Sequence, residues 1–351
     1  MVRILHFADL HLGVENYGRL DAKTGLHTRL LDYLRSFDEL VEYALSEPVD
    51  LVLFAGDAYK SRDPNPTHQR EFARRIHRLA SADIPVFLLT GNHDLPSTAG
   101  RADTLDIFAT LEVPNVYVGR RPAMHRLDTR AGPLQIIAIP WLLRSHLLSR
   151  DERKNHTLTE LEDLTLQKLD NIVAREIQQL DRAVPTIVAA HGAVYGATYG
   201  SERSVMLGQE LVLPLSLLKN DAFDYVALGH IHRHQVLSRE PPIVYAGSVD
   251  RIDFGEEKEA KGFFVAEVES GRADFTFVEI SSTRPFITIE VEAISNDPMA
   301  QVRQAVAAQD LHNAIARLII HTSVEKNHLL GDREIRQSLG MPSRSQRWSE
   351  M

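Results

Sequence analysis

Several stretches of the chain obey one rule: a short apolar run without alternation, then a tight polar cluster. RILHFADLH (3–11) runs into Asp9 and His11, DLVLFAGD (50–57) into Gly56 and Asp57, and PVFLLTGNHD (85–94) into Asn92, His93 and Asp94. TIVAAHG (186–192) ends at His191, YVALGHIH (225–232) at His230 and His232, and PIVYAGSVDR (242–251) at Gly247 and Ser248. Apolar runs of this length without alternation predict strands buried on both faces.

Helical patterns lie between them. Leu30, Leu34, Phe37, Val41 and Ala44 share one face of a helix near 26–46. Leu166, Leu169, Val173, Ile177 and Leu180 do the same near 158–181, where Thr157 with Glu160 forms a capping box. Strand–helix alternation implies an α/β protein with its ligand groups at the carboxyl ends of the strands. Residues 1–282 are read as one large domain on this pattern. After SSTRP (281–285) the grammar changes: FITIEVEA alternates, a helix follows near 298–309, and ARLIIHTSV (316–324) follows that. This predicts a small α+β module over 283–335, a cap built as β-α-β, and a mobile polar tail over 336–351.

Composition adds exclusions. The 351 residues contain no cysteine, so disulfides, zinc–thiolate sites and thiol catalysis are ruled out and a cytoplasmic setting is expected. Arg3, His6 and Asp9 break the opening MVRILHFADLHLG, which is not expected to be a signal peptide. The richest apolar stretch, LQIIAIPWLL (134–143), is too short to span a bilayer, so no membrane role is expected. The net charge of −9 argues mildly against a simple wrapper of nucleic acid, an objection that bound divalent cations would weaken.

The polar clusters supply Asp9, His11, Asp57, Asn92, His191, His230 and His232 as candidate metal ligands. Carboxylate, imidazole and carboxamide donors without sulfur suit Mn²⁺, Fe or Zn²⁺, with Mn²⁺ favoured where oxygens share the site. Seven ligands exceed what one ion needs. Two ions sharing a bridging carboxylate would use them all, the arrangement that clamps attacking and leaving oxygens in phosphoryl displacement. His230 and His232 lie two apart, the spacing that lets both project towards one site from a strand end.

DLH, GD, GNHD, an isolated HG and GHIH, in this order, resemble the motifs of the calcineurin-like metallophosphoesterases over roughly residues 1–255. The resemblance implies a two-sheet α/β sandwich. By position, Asp9, His11, Asp57 and His232 would hold one metal, and Asp57, Asn92, His191 and His230 the other, with Asp57 as the bridge. His93 would be the general acid or would steady the scissile phosphate, and Asp94 would orient its imidazole. FAGDAYKSRDPNP and YAGSVDRIDFGEEKEAKGFF, with a small cap, look like the SbcD-type nuclease subunits of double-strand-break repair. That likeness implies Mn²⁺-dependent exonuclease and endonuclease activity on DNA ends, hairpins and single strands, a homodimer, and an SbcC-type coiled-coil ATPase partner. In many relatives outside the bacterial branch a histidine stands where this chain has Lys60, which puts more weight on His93. Family ATPase-binding helices follow the cap, and a chain that stops before most of that region is expected to be truncated.

Lys60, Arg62, Arg203 and Arg251 neighbour the motifs as candidate DNA-phosphate contacts, weighed against ordinary solvated surface cations. Trp141 and Tyr195 are candidate base-stacking groups, although core packing is the commoner use of aromatics. His6 is expected to be structural, and His234, with no ligand slot left, to lie at the surface or behind the ligands. RDERKN (150–155) reads as an exposed loop and GEEKEAKG (255–262) as a charged hairpin. Two other readings of function stay open: a metallophosphoesterase for small phosphodiesters or phosphoproteins, and a non-catalytic scaffold that keeps the fold.

Overall fold

The computed structural model of the chain describes residues 1–96, 101–154, 156–200 and 210–340. They divide into a large unit, Met1–Ile252 with Glu259–Thr283, and a small one, Asp253–Lys258 with the residues from Arg284 onward. The strands of the large unit are β1 (Val2–Phe7), β2 (Leu51–Phe54), β3 (Val86–Leu89), β4 (Val116–Gly119), β5 (Ala123–Thr129), β6 (Gly132–Ile139), β7 (Thr186–His191), β8 (Tyr225–Gly229), β9 (Gln235–Arg239), β10 (Pro242–Tyr245), β11 (Gly262–Glu269) and β12 (Arg272–Glu279). Its long helices are α1 (Thr28–Ser46), α2 (Pro66–Ser81) and α3 (Leu158–Gln178).

Two six-stranded sheets form, in the orders β12-β11-β1-β2-β3-β4 and β5-β6-β7-β8-β10-β9. Strands β1 to β4 run parallel in the first, and β6, β7, β8 and β10 run parallel in the second, with antiparallel strands at the edges. The reason the apolar runs do not alternate is now visible. Ile4, Leu53 and Phe87 point between the sheets onto Ile136, Ala189 and Ala227, while Leu5, Phe7 and Phe54 point the other way onto Tyr33, Phe37 and Phe72 of α1 and α2. On the far side, Val188 and Val226 pack on Leu169 and Val173 of α3. The result is an α/β sandwich of helices, sheet, sheet and helices, so every parallel strand has both faces covered.

The capping box is formed: the Thr157 backbone N–H donates to Glu160 Oε2 at 2.7 Å and the Glu160 N–H to Thr157 Oγ1 at 3.3 Å. GEEKEAKG is not a hairpin. A short 3-10 turn at Phe254–Glu256 leads on to β11, and the charged Glu256 and Lys261 are buried. RDERKN is an exposed turn over its described residues. No helix among the described residues is long and apolar enough to cross a membrane.

The small unit pairs β13 (Phe286–Glu292) in parallel with β14 (Ile315–His321) across α4 (Pro298–Ala307), a β-α-β unit. Ile289 and Val291 pack on Met299, Val302 and Val306. A further helix, Asp332–Ser338, occupies the start of the stretch expected to be a polar tail, and 341–351 lie outside the described residues.

His6 is structural, as expected. Its ring is wholly buried between the sheets, with Nδ1 3.0 Å from the Tyr225 hydroxyl and Nε2 3.2 Å from the Leu228 carbonyl. Burial lowers its pKa from 6.5 to about 3, against the pull of that carbonyl. The unfolded chain therefore binds the proton near pH 6.5 and the folded chain only near 3, so stability is full above this window and is lost as pH falls through it. Equilibrium unfolding with chelator present should show wild type losing stability relative to His6→Gln by up to roughly 1.4 kcal/mol per pH unit between about pH 6 and 4. A difference that does not change with pH would contradict a neutral buried imidazole.

Candidate metal centre

The polar clusters meet at one edge of the sandwich. Asp9 and His11 follow β1, Asp57 follows β2, Asn92 and His93 follow β3, His191 ends β7, and His230 and His232 follow β8. Four of these residues have backbone on the left-handed side, with φ of 52° at Asp9, 47° at His11, 65° at Asp57 and 107° at His230. Such residues cost of order 1–3 kcal/mol each and persist only where the surroundings over-determine them. Here they are clamped: Asp9 N–H donates to Gly56 O at 2.9 Å, and His11 N–H donates to Asp57 O at 3.1 Å. Gly56 must lack a side chain, because at its φ of 100° a Cβ would lie 2.3 Å from His191 Nδ1.

Among the described residues three sets of donor atoms converge, each with all members within 4.8 Å: Asp9, His11 and His232; His11, Asp57 and His93; and Asp57, His191 and His230. The ring nitrogens are pre-set. His191 Nδ1 donates to the Ala55 carbonyl at 2.6 Å, which turns Nε2 towards Asn92 Oδ1 at 3.0 Å and Asp57 Oδ2 at 3.5 Å. His230 Nε2 donates to Glu210 Oε2 at 2.8 Å, leaving Nδ1 to face Asn92 Oδ1 at 3.1 Å. Across the site, His11 Nε2 lies 3.1 Å from His232 Nε2 and 3.7 Å from Asp57 Oδ2. Lone pairs held this close repel unless a proton or metal ion lies among them. Imidazole, carboxylate and carboxamide donors oriented by such outer hydrogen bonds fit two divalent cations that share Asp57.

The charge balance says the same. Burial lifts Asp9 to about 7. Burial works on Asp57 as well, yet the His191 ring beside it holds this carboxyl well below the usual range. His191 is raised to about 9, because the Asp57 carboxylate outweighs burial. Asp9 and His191 thus hold protons beside Asp57 that a divalent cation would displace, so metal binding at this edge would release protons.

Asp94 has a different task from the expected one. It does not bond to the His93 ring. Its buried carboxylate accepts from the N–H groups of Asp57 (2.8 Å), Ala58 (3.0 Å) and Gly91 (2.9 Å) and from Thr104 Oγ1 (3.1 Å), all its acceptor capacity being used to fix the two turns that flank the bridge. His93 Nδ1 instead donates to the Lys60 carbonyl at 2.7 Å, which aims Nε2 away from Lys60. The His93 backbone N–H donates to Asp57 Oδ1 at 2.8 Å.

Lys60 and Arg62 are exposed beside His93, and Arg62 Nε donates to the Asn92 carbonyl at 3.3 Å. The Arg251 guanidinium donates to Thr283 Oγ1 at 3.1 Å and to the Glu259 carbonyl at 2.8 Å, both inside the large unit. Arg203 lies outside the described residues. His234 is half-buried, stacked on Phe277 with ring centroids 4.1 Å apart and with Nδ1 3.1 Å from the Ala260 carbonyl. Trp141 lies against the ligand rings, and Tyr195 is exposed.

Two contributors were not legible. Glu210, also bonded by the Tyr199 hydroxyl at 3.1 Å, follows no apolar run and stands 20 residues from His230. Lys261 is buried and donates from Nζ to the His232 carbonyl at 3.1 Å and to Glu259 at 2.9 Å, steadying the turn that carries His232.

The family model for calcineurin-like phosphoesterases matches residues 2–234, a span that holds all seven candidate ligands. The chain belongs to that family. It is 28% identical over 316 residues to the DNA double-strand break repair protein Mre11 of Haloferax volcanii, a match covering 90% of this chain and 60% of that protein. To the D component of the SbcCD nuclease of Escherichia coli K12 it is 27% identical over 282 residues, covering 78% of this chain and 66% of the relative. The corresponding Bacillus subtilis protein is 27% identical over 296 residues, covering 82% and 71%. The chain therefore spans between 60% and 66% of the first two relatives' length.

Removing the outer partner of a ligating histidine costs roughly 10- to 100-fold in metal affinity. Calorimetric titration of Glu210→Ala should show that loss for one of the two ions while the other binds as in wild type, with Glu210→Gln less affected. Equal weakening of both ions would show that Glu210 acts on the whole edge rather than on His230.

Proposed function

We propose that this calcineurin-like phosphoesterase is a Mn²⁺-dependent DNA nuclease of the SbcD and Mre11 kind. The observation that carries the reading is the convergence of oriented donors on Asp57 with His93 alongside. Asp9, His11, Asp57 and His232 would hold one ion, and Asp57, Asn92, His191 and His230 the second. When bound, the ions supply Lewis acidity to the phosphoryl oxygens of the scissile diester. His93, its Nδ1–H tied to the Lys60 carbonyl, can carry a proton on Nε2 for the leaving oxygen. Lys60 acts through that carbonyl as well as through its exposed ammonium, and with Arg62 would meet flanking phosphates. Asp94 serves this chemistry by holding Asp57 in place rather than by touching substrate.

The likeness to the SbcD component of the SbcCD nuclease supports DNA ends, hairpins and single strands as substrates, a cytoplasmic setting, an SbcC-type coiled-coil ATPase as partner, and a homodimer. The net charge of −9 favours a second reading, a phosphodiesterase for small substrates. A scaffold role is disfavoured because every candidate ligand is present at this one edge.

End-labelled duplex and hairpin DNA incubated with Mn²⁺ should be cleaved. His93→Ala should lose about 10²- to 10⁴-fold in rate, the range of a proton-transfer group. Asp57→Asn should lose activity and drop metal uptake below the two ions per chain expected of wild type. Cleavage should fall steeply as salt rises. Hydrolysis of bis-p-nitrophenyl phosphate with intact DNA would move the assignment to small diesters, and uptake of less than one ion would favour the scaffold.

A further inference from the structure

The two flanks of the centre differ in character. On the His93 and His11 side stand the exposed cations Lys60 and Arg62. On the His191 and His230 side stands Trp141, two residues past the end of β6 and next to β7, which ends at His191. Its ring centroid lies 5.0 Å from that of His230 at 40° and 6.3 Å from that of His191 at 71°. Its backbone N–H is anchored to the Thr90 carbonyl at 2.9 Å, so the ring is carried on a fixed stem. With Leu142, Leu211, Leu213 and Gly192 it lines a shallow apolar cleft that opens directly beside the ligand His191. The indole is only partly buried. A rigid aromatic shelf at the rim of a polar, anion-seeking centre has the chemistry to receive the flat, apolar face of a nucleobase while the phosphate meets the ligand side chains.

We propose that Trp141 is a specificity-determining residue, a platform on which the nucleoside next to the scissile phosphate stacks. This rests on the phosphodiesterase reading above. The platform selects diesters of nucleosides over diesters of simple alcohols without reading base identity, since every base presents a π-face. It also gives the site a polarity along the strand, with the base at Trp141 and the following phosphates towards Lys60 and Arg62.

The test compares thymidine 5′-(p-nitrophenyl phosphate) with methyl p-nitrophenyl phosphate under Mn²⁺. Trp141→Ala should raise KM for the thymidine ester about tenfold and leave kcat within about twofold, as loss of one stacking contact requires. The methyl ester should be unaffected, and Trp141→Phe should recover most of the loss. Equal losses on both esters would make Trp141 a wall that merely supports His230, and no change on either would remove it from the site.

Binding is read separately. The chain has two tryptophans, Trp141 and Trp348, so Trp348→Phe leaves Trp141 as sole reporter. With Mg²⁺ present, oligothymidylate should quench its fluorescence and an abasic oligomer of equal length should not. Quenching by both or by neither would overturn the platform. Should the unmodified chain cleave neither these esters nor DNA, the phosphodiesterase reading falls, and the quench alone supports or overturns stacking at Trp141.

Discussion

The burial of the Asp57 carboxylate is the constraint on which the rest of the molecule depends. A carboxylate taken out of water costs several kcal/mol unless charge and hydrogen bonds replace the solvent. Asp57 is 2% exposed, and its replacements come from both sheets: the His93 N–H from the first, and the His191 ring from the second. Its backbone has to sit at a φ of 65°, which Asp94 secures by accepting from the N–H groups of Asp57 and Ala58. Gly91 has to approach so closely that a Cβ there would lie 2.2 Å from Asp57 Oδ1. The GD and GNHD motifs are therefore two halves of one mechanical requirement. The Asp94 side chain and the backbone of Gly91 and His93 answer to the same buried charge.

The polar cross-links at this edge also join the sheets. His191 of β7 reaches Ala55 just past β2, Asp9 past β1 accepts from the His230 N–H at 2.8 Å, and His6 of β1 reaches Tyr225 and Leu228 of β8. Between the sheets the contact is made by apolar side chains, whose attraction is non-directional and sets no fine register, and at the far end Gly271 N–H donates to Asp224 Oδ1 at 2.6 Å and Ser270 Oγ to the Arg182 carbonyl at 2.7 Å. Directional bonds at the ligand edge supply the register that contact between leucines and alanines does not. A metal site assembled from both sheets is thus held to geometry by the same residues that align them.

Which features could be read from the chain follows from this division. Parallel strands covered on both faces must be apolar throughout and must end where polar groups are wanted, so six strand ends and seven ligands stood out in one dimension. The capping box was legible because its two residues are local. The task of Asp94 was not, because it sits beside His93 in sequence while its partners Asp57 and Ala58 are 37 and 36 residues away. Glu210 and Lys261 were hidden for the same reason: each acts on a ligand from a distant segment, and a lone acid or base in a loop has no periodicity to mark it. GEEKEAKG misled because charge was taken as exposure, whereas Lys261 is buried against a carbonyl and a carboxylate that satisfy its ammonium.

Net charge misleads in a related way. A chain at −9 looks ill-suited to a polyanion, but the total counts every acid wherever it stands. Exposed Glu267, Glu269, Asp274 and Glu279 lie on β11 and β12, at the opposite end of the first sheet's strand order from β3, which carries Asn92 and His93. There the acids have a local use, since charge along an outer strand discourages pairing with another chain. Charges farther apart than the Debye length, about 8 Å at physiological salt, are largely screened from one another. What an approaching phosphate meets is the local set: exposed Lys60 and Arg62, and a centre whose imidazole and carboxylate groups suit divalent cations, which would add positive charge there. The distribution of charge, not its sum, decides which end of the sandwich can face a polyanion.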